Sequence, residues 1–246
     1  MTLREDFRDR GQWLFARRSY VPLAIIPMMG LLILLSKDYP QPFALTQWWK
    51  IGCLVVAFLG EGIRIIAVGS SAPSTSGRNT GGQLADSINT TGIYSVVRHP
   101  LYIGNFFVIF GIVLWSGVWW FVLLVSILYW FYYERIMFTE EEFLVDKFGE
   151  QYIQFAATVP AVIPSFKSYK SAKYPFSAKI VLAREYDGVL AIATSFLLLA
   201  GIEYYALPGN RPFDLTWPIL FVVIYIAAAI LRYVRKHTSL LKVEGR

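Results

Sequence analysis

Five long apolar runs, free or nearly free of charge, alternate with polar stretches along the 246-residue chain. They cover residues 20–36, about 47–69, 101–133, about 188–206 and 215–234. A helix needs about 20 residues to cross a hydrocarbon core of about 30 Å, so four of the runs fit one crossing each. The third, 33 residues with no charge, does not. As one straight helix it would extend about 50 Å at about 1.5 Å per residue. Two helices turning at Ser116-Gly117 cover roughly 24 Å each, short but workable in a thinned bilayer. The pattern predicts an all-α integral membrane protein with about six transmembrane helices, including this short hairpin. It also brings the sequences around His99 and Glu140 to one side of the membrane.

The polar stretches have patterns of their own. In residues 139–157, Phe143, Leu144, Phe148, Tyr152 and Phe155 recur at helical spacing, opposite Glu140, Asp146, Lys147, Glu150 and Gln151. That periodicity predicts an interfacial cytosolic helix. Residues 70–100 are rich in Ser, Thr, Gly and Asn and contain Arg78, and residues 158–187 are basic and proline-punctuated. The chain divides into an N-terminal part with an amphipathic segment and two spans (1–69), a central part with the hairpin (70–166), and a basic segment with two spans (167–246).

Composition agrees with the membrane reading. Hydrophobic residues make up 56% and charged residues 16%, against about 25% charged in an average soluble domain. The net charge of +6 does not indicate a nucleic-acid partner. Nineteen of the 23 Lys and Arg fall in segments that six spans place on one side, whereas only Lys37, Lys50 and Arg211 lie in the opposite connections. This bias predicts cytoplasmic termini. Trp48, Trp49, Trp115, Trp119, Trp120 and Trp217 then fall near the outer interface, where tryptophan is enriched. Residues 1–19 are too rich in arginine for a cleavable signal, so the first span is expected to serve as its own insertion signal.

Several kinds of chemistry are excluded. Cys53 is the single cysteine, and the two histidines are far apart, which leaves no disulfide and no metal signature. No glycine-rich dinucleotide or phosphate loop is present. Three clusters remain. Arg98-His99 precedes Pro100, a residue suited to the first helical position, so a helix N-terminus with its partial positive charge should start there; an interfacial Arg-His-Tyr anchor is the alternative. Glu140, Glu141 and Glu142 follow Thr139, and a capping box would account for Glu142 alone. Glu61 and Arg64 are three apart on one helical face, which suits an ion pair, and Arg64 is near enough to the inner end to snorkel.

Taken together, Arg98-His99-Pro100-Leu101-Tyr102-Ile103-Gly104, the apolar hairpin, Glu140-Glu141-x-x-Leu144 and Phe148-Gly149-x-x-Tyr152 resemble the isoprenylcysteine carboxyl methyltransferase family, over roughly residues 84–166. The resemblance implies an integral-membrane methyltransferase using S-adenosylmethionine in a cytosolic pocket beside the hairpin. It implies cofactor contacts from Tyr94, His99, Pro100, Leu101, Tyr102 and Gly104, with His99 and Tyr102 at the methionine end. Glu140 or Glu141 would meet the ribose or amino group. The two spans after the motifs, and the lysines before them, depart from the family's eukaryotic enzymes. They look more like a bacterial branch acting on membrane lipids, lipid A phosphate among them, in the inner membrane.

That reading implies a lipid acceptor entering laterally from the bilayer and no nucleic-acid partner. An anionic phosphate or carboxylate acceptor needs no general base, and Arg98, Arg64, Arg78 or Arg184 would orient it. Three alternatives stay open at this point: a carboxyl methyltransferase of an isoprenylcysteine-like substrate, a membrane sterol-type reductase using NADPH, and a non-enzymatic transporter subunit.

Overall fold

The computed structural model describes residues 2–36, 39, 41–72, 85–207 and 212–243, and every regular element among them is helical. Among the described residues nine α-helices follow one another: α1 Leu3–Ala16, α2 Ile25–Leu35, α3 Gln47–Gly69, α4 Pro100–Leu114, α5 Trp119–Phe148, α6 Glu150–Thr158, α7 Ala178–Arg184, α8 Tyr186–Ala206 and α9 Thr216–His237. Four of these, α3, α5, α8 and α9, are long and apolar enough to cross a membrane. Two shorter apolar helices, Pro22–Leu35 and Pro100–Leu114, complete the set of six. The molecule is an all-α integral membrane protein.

The hairpin turns where its sequence predicts. Residues 115–118 connect α4 to α5, and Gly117 has a φ of +63°, a conformation that glycine adopts without steric cost. The two arms are unequal, however. The 15 residues of α4 cover about 22 Å, whereas the 30 residues of α5 extend about 45 Å. The second arm therefore runs on through residues 134–148, whose part from 139 onward the sequence pattern assigned to an interfacial helix. Thr139 sits inside α5 and donates to the Arg135 carbonyl at 3.0 Å. Glu142 pairs with Arg4 at 2.8 Å, so the capping box does not form. The helix expected over residues 139–157 is divided at Gly149, where φ is +56° and the chain turns into α6.

Two other expectations are corrected. The first span begins as a 3₁₀ turn, Val21–Ala24, and only 11 residues of α2 follow, because Pro22 and Pro27 cannot donate backbone hydrogen bonds. Of the tryptophans, Trp48 (83% exposed) and Trp119 (76%) face outward, but Trp115 (0%) and Trp217 (2%) are buried. These two rings lie 5.0 Å apart in an aromatic cluster with Phe196. Trp115 reaches the interior because a carboxylate there accepts its indole N–H, Glu203 of α8 at 2.9 Å, whereas Trp217 is held by its ring contacts with Trp115 and Phe196. Glu203 also accepts from the Tyr39 hydroxyl at 2.7 Å and pairs with Lys50 of α3. Lys50, counted by sequence as an outer-loop charge, is thus buried. This clamp joins α3, α8 and the hairpin turn at the end of the bundle away from residues 92–100.

At their middle, α3 and α4 touch backbone to backbone. A Cβ at Gly60 would stand 2.4 Å from the Gly104 carbonyl oxygen, and one at Gly111 would stand 2.6 Å from the Cys53 carbonyl oxygen. Small residues permit such an approach, and van der Waals packing rewards it where lipid offers no hydrophobic gain. Cys53 is a buried member of this seam.

Two stability outcomes follow. Gly111→Val forces α3 and α4 apart and should lower stability by about 1–3 kcal/mol, the scale for overpacking, in a detergent unfolding titration. Glu203→Ala strands the buried Lys50 ammonium and should cost about 3–5 kcal/mol, while Lys50→Met with Glu203→Leu should restore most of it.

Candidate active site

The segment leading into α4 is held by an antiparallel strap. The Gly92 N–H donates to the Lys170 carbonyl (2.9 Å), the Ser165 N–H to Val96 (2.9 Å), the Arg98 N–H to Pro160 (2.9 Å) and the His99 N–H to Ala161 (3.2 Å). Gly92 enters the strap with φ +62°. Pro160 and Pro164 keep the opposing chain out of a helix. The strap presents Arg98 and His99 to the extension of α5, with His99 as the N-cap residue of α4 and Pro100 at its first position.

The consecutive glutamates of α5 diverge in role because neighbours on a helix point about 100° apart. Glu141 accepts from Arg98 Nε (2.9 Å) and Nη2 (3.2 Å) and meets His99 Nε2 at 2.8 Å. The remaining Arg98 nitrogen, Nη1, donates to the Ala156 (2.6 Å) and Val159 (2.8 Å) carbonyls at the end of α6, closing orphan acceptors there. All three guanidinium nitrogens of Arg98 are engaged by this set. Glu140, by contrast, accepts from the Tyr102 hydroxyl at 2.9 Å and keeps a third of its side chain accessible. Tyr102 lies between the His99 ring (5.6 Å, stacked) and the Tyr133 ring (4.8 Å). Burial pushes the Tyr94 and Tyr152 hydroxyls well above the ordinary phenol range, with Glu140 and Glu141 adding to the respective shifts. Both remain neutral at pH 7.

These groups form one wall of a cavity of about 730 Å³, within the size range of small-molecule sites. The opposite wall is built around Arg64. Its guanidinium donates to Glu185 at 2.6 and 3.0 Å and to Asn105 Oδ1 at 2.5 Å, and lies 3.3 Å from Glu61. The i, i+3 pair of the sequence therefore exists, but Glu185 takes the shorter contacts, and Arg64 turns inward rather than snorkelling. Gly188 makes room for this network, since a Cβ there would stand 3.0 Å from both Glu61 oxygens. Arg18, Arg184 and Arg235 also line the cavity.

Of the residues singled out by sequence, Tyr94, Arg98, His99, Pro100, Leu101, Tyr102, Glu140, Arg64 and Arg184 all line this cavity. Glu141 stands behind the wall, holding Arg98 and His99. Gly104 faces α3, where a Cβ would meet Arg64 Cγ at 2.6 Å and the Gly60 carbonyl at 2.7 Å; it serves helix packing. Arg78 lies outside the described residues. Sequence reasoning missed Glu185 and Tyr133. The signal for Glu185 was a buried arginine in α3 in need of a counter-charge, with two acids, Glu185 and Asp187, placed at the start of a later span.

Comparisons with known proteins bear on the same segment. Residues 63–151 match the family model described as phospholipid methyltransferase. Two curated relatives are both protein-S-isoprenylcysteine O-methyltransferases. The one from Schizosaccharomyces pombe is 40% identical over 75 residues, 30% of this chain and 32% of the relative. The one from Xenopus laevis is 35% identical over 136 residues, 54% of this chain and 46% of the relative. The chain thus spans less than half the length of either relative. No solved structure matches it significantly. Helix α7, Glu185 and the last two spans all lie beyond the segment matched by the family model. Residues 63–151, which carry the Arg98-His99 corner, the hairpin and both glutamates, thus match the phospholipid methyltransferase family model, and the chain is similar in part to isoprenylcysteine methyltransferases.

Proposed function

We propose that the protein is an S-adenosylmethionine-dependent O-methyltransferase whose acceptor is an acidic oxygen of a membrane-embedded lipid, namely a lipid phosphate. The observation that carries this reading is the division of one cavity into two chemically different walls. One wall has an accessible carboxylate, Glu140, hydrogen-bonded to Tyr102 and flanked by aromatic rings. The other brings in arginines, of which Arg184 and Arg235 come from elements beyond the family segment.

The first wall fits the cofactor. Glu140 can accept from a ribose hydroxyl or an amino group, and the Tyr102 and Tyr133 ring faces suit a cation. The N-terminus of α4, with His99 beside it, suits a carboxylate. S-adenosylmethionine supplies, when bound, an electrophilic methyl group on a positively charged sulfur. The chain's part is to hold donor and acceptor in register and to exclude water. A phosphate oxygen is anionic at pH 7, so no residue here has to remove a proton from it. Arg184, with Arg18 and Arg235, orients that oxygen; Arg forks onto phosphate bidentately. Arg64 and Arg98 act as positioning residues, because their guanidinium groups are already occupied by carboxylates and carbonyls. Both termini lie on the cytoplasmic side of a bacterial inner membrane in this reading, which the distribution of Lys and Arg supports.

A second reading, carboxyl methylation of an isoprenylcysteine-like substrate, is favoured by the names of the two curated relatives. Lipid mass spectrometry of cells with and without the protein separates the two. A lipid heavier by one CH₂ supports the phosphate acceptor, whereas methyl confined to a protein C-terminus overturns it.

The walls give a further pair of outcomes. Glu140→Gln should weaken S-adenosylhomocysteine binding about tenfold in calorimetry, the scale of one charge-assisted hydrogen bond, with little change in the unfolding midpoint. Glu141→Gln should lower the midpoint as well, because it releases Arg98 and His99. Stabilisation by NADPH and not by S-adenosylhomocysteine would instead favour a reductase.

A further inference from the structure

A second cavity, of about 540 Å³, lies on the other side of the strap from the reaction cavity. It is almost wholly apolar. Ile63 and Ile66 of α3 form one side, Ile93 and Ile103 the back, and Phe166 and Phe176 the outer edge. Ile63 and Ile66 flank Arg64 in sequence but face away from it, so α3 separates the two cavities. The segment that closes this groove is fixed at both ends. Lys170 is tied to Gly92 and Ser95, and the Ser177 N–H donates to the Gly69 carbonyl at 2.9 Å. The Phe176 ring lies on Gly69, where a Cβ would approach it to 2.3 Å.

Along this closing segment, groove-lining residues and lysines alternate with a period of three: Phe166-Lys167, Tyr169-Lys170 and Ala172-Lys173. All three lysines are exposed. Residues 151–184 contain no Asp or Glu, and among the described residues none of the three lysines pairs with a carboxylate. The groove sits at the end of α3, beyond which the polar chain begins, at headgroup depth for a six-span arrangement.

We propose that this groove is a binding site for one anionic glycerophospholipid, with an acyl chain between Ile66 and Phe176 and the phosphate on Lys167, Lys170 and Lys173. Charge complementarity selects the occupant. An apolar slot alone takes any hydrocarbon chain, but a row of exposed lysines with no acidic partner at its rim favours a lipid bearing net negative charge, since each basic group near such a headgroup adds attraction. The site is distinct from the reaction cavity, and it stands or falls independently of the methyl-transfer reading. Because the segment also supplies the Lys170 carbonyl that holds Gly92, a lipid in the groove braces the strap from behind.

Native mass spectrometry of the full chain in detergent tests this, with equimolar phosphatidylglycerol and phosphatidylcholine added. The wild type should retain one phosphatidylglycerol with about tenfold preference. Lys167→Gln with Lys170→Gln and Lys173→Gln should abolish the preference while either lipid still binds. Ile66→Trp, at a half-exposed position, should reduce retention of both lipids with the unfolding midpoint kept. A control with Lys147, Lys236 and Lys242 changed to Gln should keep the preference. Equal retention of the two lipids by the wild type, or loss of preference in the control, would overturn the assignment. So would displacement of the bound lipid by equimolar glycerol phosphate, which would mean that the lysines hold a free phosphate and the groove holds nothing.

Discussion

The backbone contact between α3 and α4 is the constraint on which the remaining geometry rests. With glycine at 60, 104 and 111 the two helices approach until main chain meets main chain. That closeness brings Arg64 of α3 within reach of Asn105 of α4. It also leaves the guanidinium facing the start of α8, where Glu185 completes its coordination. A larger interface residue would displace Arg64 and the cavity wall together. Packing in this membrane protein and polar chemistry at its site are therefore one problem, solved by residues without side chains.

A second dependence links the two sides of the strap. Arg98 binds Glu141 on α5 and the carbonyls that end α6, and the backbone of the same residue pairs with Pro160. One residue thereby fixes three segments, which leaves Glu140 and Tyr102 to face the cavity. At the opposite end of the bundle Glu203 plays a comparable part with Lys50, Tyr39 and Trp115. Both anchors are charged groups whose hydrogen bonds are supplied from several helices, the condition under which burial of an ion is tolerated. The apolar surface between them faces lipid, which contributes no hydrophobic drive to helix association.

The chemistry of the cavity follows from this division of labour. Arginines whose charge is already neutralised by carboxylates set positions, and groups with remaining hydrogen-bonding capacity line the space where ligands would meet. The aromatic stack of His99, Tyr102 and Tyr133 gives the inner wall a rigid face. The Tyr102 hydroxyl donates to Glu140, and the Tyr133 hydroxyl accepts from Asn105. The arginines from α7 and α9 lie outside the segment matched by the family model, whereas Glu140, Tyr102 and His99 lie inside it.

By itself the sequence determined where the long apolar helices fall, that the uncharged run must fold back at Ser116-Gly117, and that α4 must begin at Pro100. Those features depend on transfer energies and backbone restrictions that act along one strand of chain, and an apolar run or a proline displays them locally. It also brought His99, Tyr102 and the glutamates together as candidates. Only the tertiary structure decided which glutamate faces the cavity, because two adjacent residues differ by their angle around α5 relative to Arg98. It decided that Glu185 answers Arg64 across 121 positions, and that Lys50, Trp115 and Trp217 go inward. The physical reason is the same in each case: a charge or an indole is placed by partners on other helices, and hydropathy along the chain carries no record of which helices will touch.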